Sequence, residues 1–338
     1  MTARESGTPG RLEDAVCPLC EHQRNHAVVR ATDRLAPESL ETYTVVRCLS
    51  CGLAYLNPRP TAETIREFYP GSYTGAGRHG LVDRLETNHR CRQQREVVEW
   101  LAARRRSRGV VLDVGCGSGD LLVALRADGW RVQGVEPAPG GAREAREQRG
   151  LDVLAGRFED VELPPCAYDV VVFAGVLEHL HDPLAALRRA GRLLVPGGLL
   201  AVLFLPLFDS PEARFFGSRW LALDLPRHLT HFSDATFGLM ASKAGLEIVG
   251  REPYSLRHNA AQLVGSVAPW LQKHRFYLAE STAGDGRSLG AQLASIGRRA
   301  LFLAAVTGLR PAAHLAAVTG ASPMCSYFLE LRASDPDR

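Results

Sequence analysis

The stretch GVVLDVGCGSGDLLVALRADGW, residues 109 to 130, restricts the fold of this chain more than any other. Val110 to Val114 is a short β-branched run that reads as a strand. The glycines after it make a tight turn, and DLLVALRADG reads as a helix ending at Gly129. A strand, a glycine-rich loop and a helix in this order open an α/β fold. Taken alone, the unit also suits a dinucleotide loop. Carboxylates decide between ligands: Asp113 stands two residues before Gly115, and Asp120 follows Gly119. A pyrophosphate needs N–H groups and positive dipole there, so the carboxylates would repel it, whereas an ammonium or sulfonium group would be stabilised.

The chain then continues as alternating elements. RVQGVEP reads as a second strand ending in Glu136, placed to accept both hydroxyls of a ribose. LDVLAG, YDVVVFAGVLEHL, DPLAALRRAGRLLVPGG and LLAVLFL follow as strand, buried strand with loop, helix with turn, and strand.

Taken together, VLDVGCGSGD, VEP, YDVVVFAGVLEHLHDP and LLVPGG resemble the class I S-adenosylmethionine-dependent methyltransferases over residues 109 to about 251. The resemblance implies a Rossmann-like, doubly wound, mostly parallel seven-stranded sheet that binds S-adenosylmethionine. It implies that Gly115 and Gly117 let the backbone approach the methionine portion, with Asp113 holding the loop and Glu136 on the ribose. Arg157 and Phe158 would occupy the adenine end, Phe158 as an apolar wall, and Val176 would line the sulfonium side.

Four of the eight cysteines form two C-x2-C pairs, Cys17 with Cys20 and Cys48 with Cys51. Each such turn aims two thiolates at one point, and four close a tetrahedral shell around structural Zn2+. Two disulfides are disfavoured in a reducing compartment. Redox pairs would need a thioredoxin-like context that is missing here. Cys91, Cys116, Cys166 and Cys325 read as isolated buried or helical residues. The cysteine segment followed by NPRPTAETIREFYPGSYTG also resembles the N-terminal part of bacterial methyltransferases of sugar and secondary-metabolite pathways.

The formal charge of +3 is too small to imply a nucleic-acid partner. The one dense basic run, RRRSR at 104 to 108, reads as a solvated helix end. The polar opening residues carry no apolar leader, so a cytoplasmic protein with a disordered tail over 1–16 is expected. LLVPGGLLAVLFLPLF reads as loop and buried strand, and ALFLAAVTGLRPAAHLAAVTG as two packed helices broken near Arg310 and Pro311, so no transmembrane segment is expected.

The expected organisation is a zinc-ribbon segment over 17–60, a helical linker or lid over 61–108 and the cofactor-binding core over 109–254. A helical insertion over 255–325 precedes the last strand and tail at 326–338. The insertion, with Trp270, Phe276 and Tyr277, is expected to form part of the acceptor pocket or a homodimer surface. Its apolar character allows a lipid-linked acceptor and weak peripheral membrane contact.

Ligands of open α/β sheets lie beyond the carboxyl ends of the strands. The loops there contain GVLEHLHD, with Glu178, His179 and His181, and PRHLTHFS, with His228 and His231. His179, His228 and His231 are the candidate catalytic residues, because imidazole is the usual base when an acceptor must lose a proton. His181 reads as a surface or capping residue, and Ser233 or Asp234 as the cap of the next helix. Related quinone O-methyltransferases use a Glu/Glu/His cluster for a divalent metal, and FAGV replaces the first glutamate here, so metal-assisted catalysis is not expected. The reading is methyl transfer to a small molecule such as a sugar, glycolipid or natural-product intermediate, with O-methylation slightly favoured. Its rivals are a zinc-ribbon RNA methyltransferase and a non-catalytic cofactor-binding partner.

Overall fold

The computed structural model describes residues 10–36, 38–69, 94–105, 107–253, 258–268 and 289–332. The expected aromatic anchors Trp270, Phe276 and Tyr277, Cys91, and most of the expected lid lie outside the described residues.

The N-terminal part contains β1 (Leu12–Glu13), β2 (Asn25–Thr32), β3 (Thr42–Cys48), β4 (Ala54–Leu56) and β5 (Arg59–Pro60), then a 3-10 turn at Ile65–Phe68. The expectation of disorder through residue 16 fails over its last residues. β1 pairs antiparallel with β5, and the backbone N–H of Ala15 donates to Asn57 Oδ1 at 2.8 Å. Residues 94–104 form α1, whose Val97 and Leu101 are buried against the main sheet.

Next come β6 (Val110–Val114), α2 (Asp120–Ala127), β7 (Arg131–Glu136), α3 (Pro139–Glu147), β8 (Val153–Ala155), β9 (Tyr168–Ala174), α4 (Pro183–Leu193) and β10 (Leu194–Pro206). They are followed by α5 (Pro211–Phe216), β11 (Thr230–His231), α6 (Asp234–Lys243), β12 (Leu246–Glu252), α7 (His258–Val267), α8 (Leu289–Val318) and β13 (Met324–Leu331). The sheet is seven-stranded in the order β12-β13-β10-β9-β6-β7-β8. Its β10/β9, β9/β6, β6/β7 and β7/β8 pairs are parallel, and β13 runs antiparallel between β10 and β12. Both faces are covered, so β9 reads Val170, Val171, Val172, Phe173 without a break and all four are fully buried. Chain order reverses between β6 and β9, and the crevice for a ligand opens beyond their carboxyl ends.

Three expectations need correction. The basic run is not a free solvated end: Arg104 pairs with Glu252 at 2.6 Å, Arg105 with Asp169 at 3.1 Å and Arg108 with Asp128 at 2.7 Å. The apolar C-terminal region is one helix, α8, with Pro311 inside it, because Val306 and Ala313 on either side of the proline share one packed cluster with α7. Cys166 is neither buried nor helical but exposed at a residue of φ 49°.

The cysteine segment is also less separate than expected. β11, from the loop after β10, pairs antiparallel with β4 and completes a four-stranded sheet ordered β11-β4-β3-β2. Leu56 N–H donates to Leu229 O at 2.9 Å beside it. The segment therefore packs on the loop that carries His228 and His231.

Candidate active site

The β6–α2 loop turns through left-handed glycines, Gly115 at φ +72° and Gly117 at φ +56°, a region where a side chain would be strained. A Cβ on Gly115 would lie 2.7 Å from Val176 Cγ2, so Val176 sits directly against this loop. A Cβ on Gly117 would meet nothing within 4 Å, which leaves the backbone open to a ligand.

Glu136, at the end of β7, organises this loop. Its Oε2 accepts from Gly117 N–H and its Oε1 from Ala138 N–H, both at 2.7 Å. Each oxygen keeps further acceptor capacity, which suits a pair of vicinal hydroxyls. Asp113 was expected to hold the loop, but among the described residues it makes no hydrogen bond to it. The side chain is buried in β6, one residue short of the turn, and the tie is made by Glu136 instead. Burial pushes the Asp113 carboxyl up to about 8, and the nearby Glu136 adds to this. Glu136 is itself raised by burial, against the two N–H donors and Arg66. Both carboxyls are buried, and a cation placed beside them would relieve the charge of Glu136 on Asp113, so the donor set fits an ammonium-bearing nucleoside. Phe158 differs from the expected wall: its ring is turned inward, edge-on to Phe173 at 5.5 Å and under Arg189 at 5.0 Å, because the apolar ring joins the core. Arg157 is engaged with Glu159 at 2.7 Å.

Beyond β9, a 3-10 turn at Leu177–His179 meets PRHLTHFS. The rings of His179 and His228 touch edge to face, with centroids 4.6 Å apart and planes at 79°. His179 Nδ1 lies 3.1 Å from Arg227 O and 2.9 Å from the Tyr69 hydroxyl, and His228 Nδ1 lies 2.8 Å from Ala222 O. A carbonyl only accepts, so both imidazoles carry their proton on Nδ1 and present an unprotonated Nε2. Burial, then the neighbouring His228, holds His179 down at about 3, and burial also lowers His228 against the pull of Asp224. Both are neutral bases at pH 7. His231 lies behind them, with its ring 5.3 Å from Phe208 and its buried Nε2 unbonded among the described residues. His181 is neither free nor a cap: it docks on Pro60 O at 3.0 Å, while Asp182 caps α4 through Ala185 N–H at 2.8 Å. Ser233 caps α6 in a capping box with Thr236.

Sequence reasoning passed over the groups that fix this pair. Arg227, wholly buried within PRHLTHFS, donates to Asp33 from the cysteine segment, to Asp224, and to the carbonyls of Phe68 and Leu225. Burial works against the Asp224 carboxylate, but Arg227 outweighs it and holds the group down at about 2. A buried cation needs such partners, so an arginine in the loop, with Asp224 three residues earlier, was the available signal. Glu178 is fully buried and raised to about 8 by burial. Its carboxylate, His179 and His228 offer ligand atoms within 4.8 Å of one another.

The four N-terminal cysteines converge in the same way, their sulfurs all within 4.8 Å of one another. Cys17 and Cys51 Sγ lie 3.4 Å apart, and Cys20 and Cys48 Sγ 3.5 Å, as free thiols. The edge of a tetrahedron with metal–sulfur bonds of about 2.3 Å is about 3.8 Å, so the cage fits a zinc ion.

Fold and cleft define a Rossmann-like α/β protein with a crevice beyond the carboxyl ends of β6 and β9. Comparison with known proteins narrows this. Residues 86–250 match a family model described as a methyltransferase domain. A ubiquinone biosynthesis O-methyltransferase of Xanthomonas campestris pv. campestris is 34% identical over 148 residues, 40% of this chain and 61% of that protein. One from Xanthomonas euvesicatoria pv. vesicatoria is 31% identical over 166 residues, 45% of this chain and 68% of that protein. A solved SAM-dependent methyltransferase of Thermotoga maritima is 28% identical, with 46% of this chain and 71% of that one aligned and a TM-score of 0.39. The chain spans 61% of the length of the first curated relatives it matches. It belongs to the class I S-adenosylmethionine-dependent methyltransferases.

Proposed function

We propose that the protein transfers a methyl group from S-adenosylmethionine to a small-molecule acceptor, with a hydroxyl as the favoured methylated group and a sugar, glycolipid or natural-product intermediate as the acceptor class. The observation that carries this reading is Glu136, which ties Gly117 and Ala138 through both oxygens beside the buried Asp113. O-methylation is supported by the names of the relatives. The bound cofactor supplies an electrophilic methyl on a good leaving group. Glu136 would receive the ribose hydroxyls, and the crowded Asp113 and Glu136 carboxyls would balance the ammonium charge. Val176, against Gly115, would close the sulfonium side. Nε2 of His179 or His228 would take the acceptor proton, since a base in hydrogen-bond reach is needed only when the acceptor holds its proton tightly. His231, with Nε2 sealed, supports the other two. Cys17, Cys20, Cys48 and Cys51 would hold structural zinc, which fixes β3 and β4 under the acceptor loop and offers no open position for substrate.

The donor set of Glu178, His179 and His228 favours a second reading, a divalent cation at the same place. Two metal ions per purified chain would support it, and one, lost on substitution of the cysteines, would leave the cysteine site alone. The methyl-transfer reading is tested with labelled S-adenosylmethionine and fractions of cell extract, followed by mass analysis of the product. A labelled small molecule whose formation stops in His179→Ala or His228→Ala, with cofactor affinity kept, is the expected result. Labelled RNA would favour the nucleic-acid rival, and bound cofactor without turnover on any fraction the non-catalytic one.

A further inference from the structure

α7 and α8 form a small module with its own apolar cluster, in which Ala260, Ala261 and Val264 of α7 meet Val306 and Ala313 of α8. The opposite side of α8 is uncovered. Leu301, Ala304, Gly308, Ala312, Leu315 and Val318 are all exposed, and at 100° per residue they share an arc of about 120°. A surface helix of a water-soluble domain normally turns charge to that side. Here the stretch Ala300–Val318 is long and apolar enough to cross a membrane, yet only 17% of it is buried inside the protein.

Charge says what covers it. The insertion at 255–325 holds seven Lys and Arg against two Asp and Glu, an excess of five positive charges in a chain whose whole net charge is only +3. No acidic residue occurs anywhere in α7 or α8. Arg298 stands about 40° beyond one edge of the exposed apolar arc and Arg310 about 80° beyond the other, nearer the face packed on α7; both are half-buried, and neither forms an ion pair among the described residues. Cations beside an apolar strip are the pattern of a helix lying in the headgroup boundary of an anionic bilayer, with guanidinium groups reaching the phosphates. A second copy of the chain would bring the same positive excess against itself. A spanning helix is opposed by the other face, which is committed to α7, and by Arg310 and Pro311 at its centre.

We propose that the outer face of α8 docks this protein on anionic lipid, so that the acceptor site works at a membrane surface. The test is flotation of the full chain with vesicles of phosphatidylcholine, with and without phosphatidylglycerol, for the wild type and for the Leu301→Glu/Leu315→Glu double variant. Both leucines are more than half exposed, so the variant is expected to fold, and unchanged S-adenosylhomocysteine binding checks this. The expected result is flotation with the anionic vesicles that falls with salt and is about tenfold weaker in the variant. No flotation with anionic vesicles, or equal flotation of both proteins, overturns the proposal. A dimer seen by sedimentation that the variant dissociates, without lipid binding by the wild type, assigns the face to a second copy and also overturns it. Failure of the wild type to bind S-adenosylhomocysteine would strike the methyltransferase reading and leave the flotation result standing.

Discussion

Arg227 donates through its two terminal nitrogens to the two carboxylate oxygens of Asp33, at 2.9 and 2.7 Å, across 194 residues of sequence. The pair is buried and bolts the cysteine segment to the loop whose carbonyl at Arg227 orients His179.

Without the Asp33 carboxylate Arg227 keeps Asp224 and the carbonyls of Phe68 and Leu225, so its charge stays paired but the two charge-assisted bonds to the cysteine segment are weakened. Asp33→Asn is expected to cost about 1.5–3 kcal/mol in urea unfolding. S-adenosylhomocysteine affinity is expected to hold, because Glu136 and the glycine loop lie in another element. A stability loss below about 1 kcal/mol would mean that the clamp is not needed.

Metal analysis is expected to find zinc in the wild type and none in Cys17→Ser or Cys48→Ser. Loss of the metal should release amide protection first at β4 and β11, where Leu56 N–H bonds Leu229 O, while β6 and β9 stay protected. Hydrogen exchange reads both regions at once. Unchanged protection around β11 would separate the cysteine cage from the loop that carries His228 and His231.

The buried histidines make the protein labile to acid. His231 is held near 3 by burial, then by His228, whereas an unfolded histidine titrates near about 6.5. Between those values the unfolded state binds the proton, so stability is present above about 6.5 and is lost as pH falls. At pH 5.5 the loss is about 1.4 kcal/mol for each such histidine. Asp113 and Glu178, raised to about 8, act oppositely and weaken the fold as pH rises from the ordinary carboxylate range towards that value. His231→Phe should therefore flatten the acid side of the melting-temperature profile and leave the alkaline side unchanged.

Asp113 also predicts a proton signature. With its carboxyl near 8 it is mostly neutral at pH 7, and an ammonium arriving beside it favours ionisation. Binding should release up to about one proton, so the calorimetric heat should differ between buffers of low and high ionisation enthalpy. Asp113→Asn should abolish the difference.

What the sequence made legible was local or periodic. The glycine loop, Glu136, the alternation of strands and helices and the cap at Ser233 each follow from a few adjacent residues. What it hid was long-range. β1 and β11 are two residues each and too short for periodicity, and their partners lie 40 or more residues away in the sequence. Asp33 and Arg227 carry no mutual signal at all until the fold brings them together. The break expected at Pro311 followed its intrinsic propensity, and packing on α7 overrode it. The histidines were legible as candidates, but their ranking was not, because it depends on which Nδ1 finds a carbonyl.

The central claim is a cofactor site organised by Glu136. Titration calorimetry of S-adenosylhomocysteine into the wild type and Glu136→Ala tests it most directly. The account predicts binding by the wild type and at least about a tenfold weaker affinity in the variant, since a charge-assisted pair of hydrogen bonds is lost. No binding by the wild type, or equal affinity in both, would contradict it.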